Sequence, residues 1–402
     1  MRVGEADPKI TVNSLEVRQS VLLLDGKLAT EGDITNDNGY MQLGGPTTAG
    51  TADVGGHYDS RDGRLTIEKG STMTAASVST ISIKNQISVS GTLDVKGDVS
   101  VSGMEDSVMV HGGLMKVGGA LQVASTIPGT SVKLDLGGRL VVTGDASFEN
   151  LSVDKGDLVI GGILKGKAIT VNNGTLDARR VEVGPGSSVT VDNSFFQIGV
   201  VGSAPPDYLQ TGGATKLKGG LLRGGPIDLQ GGLFTLDDAT VKSTINMSKS
   251  ARLEGNGTIG EVIANGGTVA PGLSIGRMGV TSYSQSSGVL EIEISSPTDF
   301  DRLDVLGKAS FTGGHIIFDL IDDFLPKAGE VFQFVTAAEL LDFTNIGFGF
   351  VGGFGKFDVR SSLGPNGSIE LVALTDFRTP EPTIIALFCV CLAGMGFARR
   401  ST

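Results

Sequence analysis

An all-β chain wound as a parallel, right-handed β-solenoid is the fold this sequence predicts, with a C-terminal antiparallel β cap domain and a short apolar C-terminal helix. Three observations predict it. From about Ile10 to Val280 the chain repeats one theme, an alternating strand of three to five residues followed by a Gly, Asn or Asp turn. Glycine fills 61 of 402 positions, often as doublets between those strands. After Val280 the composition changes, and twelve of the eighteen phenylalanines fall between Phe300 and Phe377.

The repeat is most regular between Ile81 and Val191. There the triplets Ile81-Ser-Ile83, Ile87-Ser-Val89, Leu93-Asp-Val95 and Val99-Ser-Val101 step by six. Val108-Met-Val110, Leu121-Gln-Val123, Leu140-Val-Val142, Leu151-Ser-Val153, Leu158-Val-Ile160, Ile169-Thr-Val171, Val181-Glu-Val183 and Val189-Thr-Val191 follow. Side chains alternate along a strand, so the outer pair of each triplet shares one face and the middle residue takes the other. One narrow apolar face cannot bury itself, but stacked coils bury it jointly. Two or three such strands per coil give a coil of roughly 20 residues, the signature of a solenoid. A sandwich of hairpins would instead show longer strands and regular two-residue turns.

The glycine doublets Gly112-Gly113, Gly118-Gly119, Gly137-Gly138, Gly161-Gly162 and Gly231-Gly232 mark the corners, where stacked backbones approach closely. Asn173-Gly174, Asn256-Gly257 and Asn265-Gly266 read as tight turns, and an asparagine ladder along one corner is compatible with them. Solenoid repeats are thus expected over residues 1–280, with a loop insertion at about 35–63. The last coil of a solenoid exposes its core and its strand edges, which must be covered. Residues 281–376 are expected to form that cover, a β-rich cap domain with a phenylalanine core and one helical turn at Ala337 to Leu341.

The tail over 377–402 differs in kind. Pro380, Glu381 and Pro382 break any strand or helix before an uncharged apolar run at 383–398, closed by Arg399 and Arg400. Such a run can enter lipid as a helix, although it is shorter than the roughly 20 residues that span an average bilayer core. The arginines should hold the extreme C-terminus on the cytoplasmic side. The tripeptide, apolar segment and basic end, in that order over about 25 residues, closely resemble the PEP-CTERM sorting signal of Gram-negative bacteria that make exopolysaccharide. The resemblance implies processing by an exosortase, a membrane-embedded cysteine-dependent enzyme, at the signal residues Pro380, Glu381, Pro382, Arg399 and Arg400. It also implies an N-terminal export signal. Met1 to Gln19 has Arg2, Glu5, Asp7, Lys9, Glu16 and Arg18 and no long apolar core, so either the sequence begins at a misassigned or truncated start, the reading favoured here, or the protein is not exported.

A second resemblance lies in Leu253-Glu-Gly-Asn-Gly-Thr-Ile-Gly260, Asn265-Gly-Gly-Thr-Val-Ala-Pro-Gly272 and Ser274-Ile-Gly276. This stretch resembles the last coils of the autotransporter-associated β-strand repeat, a solenoid unit of bacterial surface proteins. It implies a passenger-like β-helix.

Composition narrows the function. The formal charge is −12, which repels nucleic acid and anionic lipid. Cys389 and Cys391 both lie in the apolar tail, so no disulfide staples the rest. The histidines His57, His111 and His315 are far apart and fit no metal-ligand spacing. Gly255, Gly257 and Gly260 fit the bare dinucleotide-site spacing, but the β-branched residues and turn that follow leave no room for its helix. Gly272-Leu-Ser274-Ile-Gly276 fits a nucleophile elbow, yet Pro271 before it and Gly279 after it suit a plain turn.

Acidic side chains such as Asp33, Asp37, Asp59 and Asp62 offer oxygen ligands without a full calcium-loop motif. Neither metal nor cofactor is expected. For a carbohydrate-active β-helix, Asp94, Lys96, Asp98, Lys133, Asp135 and Arg139 are the outward-facing candidates. The expected function is that of an exported structural or adhesive protein of the envelope or extracellular matrix, with no catalysis of its own. Its expected partners are an exosortase-like enzyme, the membrane and an extracellular polysaccharide. The alternative is a polysaccharide lyase or hydrolase delivered by the same signal.

Overall fold

The computed structural model describes residues 2–3, 9–82, 86–103, 107–125, 132–199, 207–248 and 250–379. Its regular elements are all β-strands, and the fold is a parallel β-solenoid of about 13 turns. The chain divides into two compact units, Met1–Ile245 and Asn246–Thr402.

In the first unit the strands stack in three parallel ladders. One runs through Val21–Leu24, Tyr40–Leu43, Arg64–Ile67, Gln86–Val89, Ser107–His111 and Val132–Asp135. The second runs through Ile10–Val12, Lys27–Thr30, Thr92–Val95, Leu114–Val117 and Arg139–Val142, with stretches of Thr51–Arg61 and Thr72–Ser82 between them. The third runs from Leu15–Arg18 and Ile34–Asp37 to Val99–Gly103 and Leu121–Ser125 through the later parts of the same two long strands. Register partners lie one coil apart, as Leu93 and Met115 do, or Leu158 and Leu176. The coil of about 20 residues is therefore built from three short strands, each too narrow to fold alone.

The inward pairs of eleven triplets are buried, from Ile87 and Val89 to Val189 and Val191. The triplet at Ile81 is out of phase. Val78 and Thr80 point inward from Thr72–Ser82, and Ile81 is 62% exposed; Ile83 lies outside the described residues. A buried threonine in register with the buried Ser60 disguised the inward face. The loop predicted at about 35–63 is likewise replaced by strands Ile34–Asp37, Tyr40–Leu43 and Thr51–Arg61, with short breaks at 38–39 and 62–63 and a longer one at 44–50. Inward Asn36, Ala52 and Ser60 are too small or too polar to read as core, yet they alternate with period two.

Corners are stitched by aspartates rather than by an asparagine ladder. Asp33 Oδ1 accepts the His57 N–H at 2.8 Å, Asp98 Oδ1 accepts that of Ala120 at 2.7 Å, and Asp145 Oδ1 accepts that of Ile163 at 2.8 Å. In each case the acceptor belongs to a Gly-Asp pair, and the donor follows a Gly-Gly pair one coil later. The doublet is needed for space. A Cβ on Gly118 would stand 2.1 Å from the Lys96 carbonyl oxygen, and one on Gly119 2.0 Å from Asp98 Oδ1. Gly118→Ala is thus expected to cost about 2 to 3 kcal/mol, because the obstacle is backbone that cannot rotate away. Asp98→Ala should cost about 1 kcal/mol or less, since one exposed side-chain acceptor is lost. Urea titration of both variants checks the order; equal stabilities would contradict it.

The interior is mostly Val, Leu and Ile, with a few aromatic residues whose polar ends are satisfied inside. The Tyr58 hydroxyl accepts from Asn36 Nδ2 at 2.9 Å, and burial pushes its pKa up to about 12. Tyr208 pairs with Thr215, which donates to Gln210 Oε1 at 2.8 Å, while Gln210 donates to the Leu233 carbonyl at 3.0 Å. Its ring meets Phe196 and Phe234 edge to face, each 6.1 Å away.

The second unit keeps the same pairing further than the sequence predicts. Arg252–Pro271, Arg277–Ile294, Arg302–Phe311, His315–Leu320, Val331–Phe343 and Gly347–Val351 are linked by parallel ladders. Among the described residues the antiparallel ladders are those of Gly364–Ala373 with Val331–Phe343 and Phe357–Ser362, beside isolated antiparallel bridges such as Ile294 with Phe300. Most strands of 281–376 are thus joined by parallel ladders, and Ala337 to Leu341 is strand rather than a helical turn. Phenylalanine replaced valine on the inward face while the alternation stayed. Phe318 stacks on Phe350 at 5.2 Å, which meets Phe357 at 4.6 Å and Phe377 at 5.0 Å.

Candidate functional site

Outward side chains of the ladders form the surface on which any site must be built. Of the six charged candidates, Lys96 pairs with Asp94 at 2.7 Å, and Asp135 holds His111 Nδ1 at 2.6 Å and Lys133 Nζ at 3.2 Å. Asp98 is engaged at its corner, and Arg139 sits opposite Asp157 in register. These are separate local contacts of a solvated face rather than one constellation. His57 touches Ser77 Oγ through Nδ1, while His315 lies in register with Gly347, so the three histidines do not converge. Asp33 caps a corner and Asp37 lies 4.0 Å from Arg18 Nε. Among the described residues, no group of three or more His, Cys, Asp or Glu is placed to hold a metal ion.

Gly255, Gly257 and Gly260 lie within the strand Arg252–Pro271. Ser274 occupies the turn between that strand and Arg277–Ile294, a strand-to-strand connection rather than the strand-to-helix turn of a nucleophile elbow. Pro380, Glu381, Pro382, Arg399 and Arg400 lie outside the described residues, as does the apolar run at 383–398. Among the described residues no helix is long and apolar enough to cross a membrane.

A coupled cluster of charges lies in the second unit, on residues the sequence did not single out. Arg252 grips Glu291 with two parallel bonds, Nη1 to Oε2 at 2.9 Å and Nη2 to Oε1 at 3.0 Å, and reaches Glu254 Oε2 through Nε at 2.8 Å. These bonds, with Glu291 first, hold its guanidinium pKa above the ordinary value against the effect of burial. Glu293 and Asp319 are register partners on adjacent strands. Burial raises both carboxyls, and the neighbouring carboxylates raise them further. Behind them Asp301, 1% exposed, accepts the backbone N–H of Gly276 at 2.8 Å and of Glu293 at 2.9 Å. Burial pushes its pKa from 3.8 up to about 8 despite both donors. Its geometry is that of a clip between two strand ends. The signal available in sequence was the alternation Glu291-Ile-Glu293 between the aliphatic Val289, Leu290 and Ile294 at the end of that strand.

The first unit carries a groove of about 430 Å³ on the outward side of the third ladder, over residues 147–211. Lys165, Lys167, Glu149 and Glu182 line it, with Gly184 and Leu209. No known family profile matches the chain, and no curated protein does.

Proposed function

We propose that this is an exported structural or adhesive protein of the bacterial envelope or extracellular matrix, sorted through its C-terminal tail and without catalysis of its own. The observation that carries the proposal is the order Pro380-Glu381-Pro382, apolar run, Arg399-Arg400. In this reading an exosortase-like membrane enzyme cuts near the tripeptide, after the apolar run has held the chain in the inner membrane. A stacked, acidic solenoid suits a stiff surface element, and the likeness of Leu253 to Gly276 to surface-protein repeats supports it. Right-handed coiling, the hand favoured by parallel crossovers, and a C-terminal cap beneath the tail belong to the same reading.

Changing Pro380, Glu381 and Pro382 to alanine is expected to leave insertion intact and to stop processing, so that uncut chain accumulates in the membrane. Changing Arg399 and Arg400 to glutamate should weaken insertion itself, because it removes the orientation cue. Mass spectrometry of the mature protein reads both. Recovery of the tail through Thr402 on most wild-type molecules would point to a permanent anchor and overturn the sorting role.

A second reading, a β-helical carbohydrate-active enzyme, draws on the paired Glu293 and Asp319 with their raised pKa values. It requires turnover of an acidic polysaccharide that Glu293→Gln abolishes.

A further inference from the structure

The groove on the first unit is built from one row of the third ladder. Ser147, Lys165, Glu182 and Leu209 are successive register partners, so four coils each contribute one outward side chain to a straight line along the stacking direction. Neighbouring strands stand about 4.8 Å apart. That step is close to the advance per unit of an extended pyranose chain, so a polysaccharide lying along the row would meet one coil per sugar.

Chemistry of the row fits an anionic chain. Lys165 Nζ pairs with Glu182 Oε2 at 2.7 Å and Arg180 Nε reaches Glu182 Oε1 at 2.9 Å, while Lys167 is 3.7 Å from Glu149 and keeps 71% of its side chain exposed. Arg180 stands outside the lining and takes the second oxygen of Glu182, so Lys165 shares that carboxylate with another cation, and the cluster holds three cations to two carboxylates on a chain of net charge −12. The half-buried Leu209 supplies an aliphatic surface for sugar C–H groups. Gly184 keeps the groove open, since a Cβ there would meet nothing within 4 Å and its φ is outside the left-handed region.

We propose that this groove binds a uronate-bearing polysaccharide, with Lys165 and Lys167 taking its carboxylates, Glu149 and Glu182 accepting its hydroxyls, and the sugar chain running along the coils. The inference rests on the adhesive reading above for its biological setting, and its chemistry is testable apart from that reading. Calorimetric titration of the purified full chain with tetragalacturonate is the experiment, with a neutral galactose tetrasaccharide as the comparison. Wild type is expected to bind the uronate, more weakly as salt rises, and to bind the neutral sugar at least about tenfold more weakly. Lys165→Gln with Lys167→Gln should lower uronate affinity about tenfold or more, and Gly184→Phe should abolish binding with the melting temperature unchanged. Lys242→Gln, on a different face, should bind as wild type does.

Equal affinities for the two sugars, unaltered binding by Gly184→Phe, or no binding of tetragalacturonate would each overturn the assignment. Retention of the protein in the matrix of producing cells is scored separately. A chain retained there that does not bind uronate defeats the groove alone, and a chain that binds uronate but is absent from the matrix defeats the adhesive reading alone.

Discussion

Leu158→Asp is expected to cost roughly 4 kcal/mol or more and to open the coils around it, whereas Val159→Lys should change stability by no more than about 0.5 kcal/mol. The two residues are adjacent, and only the alternation of the strand separates them. Leu158 is fully buried and stacks in register between Leu140 and Leu176, which are fully buried too, so an aspartate there meets no partner. Val159 is half-buried, between Val141 and Asp177 on the outer face. A lysine at 159 gains an ion pair across the strands with Asp177, while an aspartate there would meet a like charge and lose up to about 1 kcal/mol. Urea unfolding of the three variants reads the difference. A Val159→Lys variant as unstable as Leu158→Asp would contradict the facing.

The second unit should become more stable as the solution is acidified from about pH 8 towards pH 4. Asp301 holds its proton more tightly folded than unfolded, since its pKa rises from 3.8 to about 8. Between those values the native state binds more protons, so stability falls as pH rises and the loss is complete above the folded pKa. Asp301 is buried, and the full effect is on the order of 5 kcal/mol. Glu293 and Asp319 act in the same direction, their pKa values also being raised. Asp301→Asn should flatten most of the pH dependence and leave a residual slope from those two, while losing one of the two backbone acceptors. Hydrogen exchange in Arg277–Ile294 across this range measures it. Protection that rises with pH in wild type would refute the buried-carboxyl argument.

Period-two alternation of aliphatic residues made the solenoid legible, because stacking in register leaves no freedom in which residues face inward once the first is placed. Legibility failed where that code used other letters. Asn36, Ser60 and Thr80 face inward without being apolar, which hid a strand at each end of the predicted loop and shifted the triplet at Ile81. Phenylalanine takes over the inward positions of the later strands while most of their ladders stay parallel. The aspartate corner was visible as Gly-Asp followed by Gly-Gly, yet its meaning depends on which residues stand one coil above, and coil lengths vary too much to be counted from sequence. The groove was illegible for the same reason. Ser147, Lys165, Glu182 and Leu209 are spread over more than sixty positions and become a row only through their register.

That register has a kinetic consequence. In the first unit every ladder partner lies only one coil away along the chain, so closing each coil costs the entropy of a short loop, whatever the total length. The nascent edge of a finished coil is the template for the next one, with its Asp side chain already presented to the following backbone N–H. Folding can then advance like a zipper, at a rate set by local contacts rather than by the search of a long chain for distant partners. For the export proposed above, a polypeptide threaded through an envelope channel from its N-terminus would need no completed domain on the near side. Each twenty-odd residues that emerge can lock onto the edge already outside, and their capture opposes backsliding into the channel.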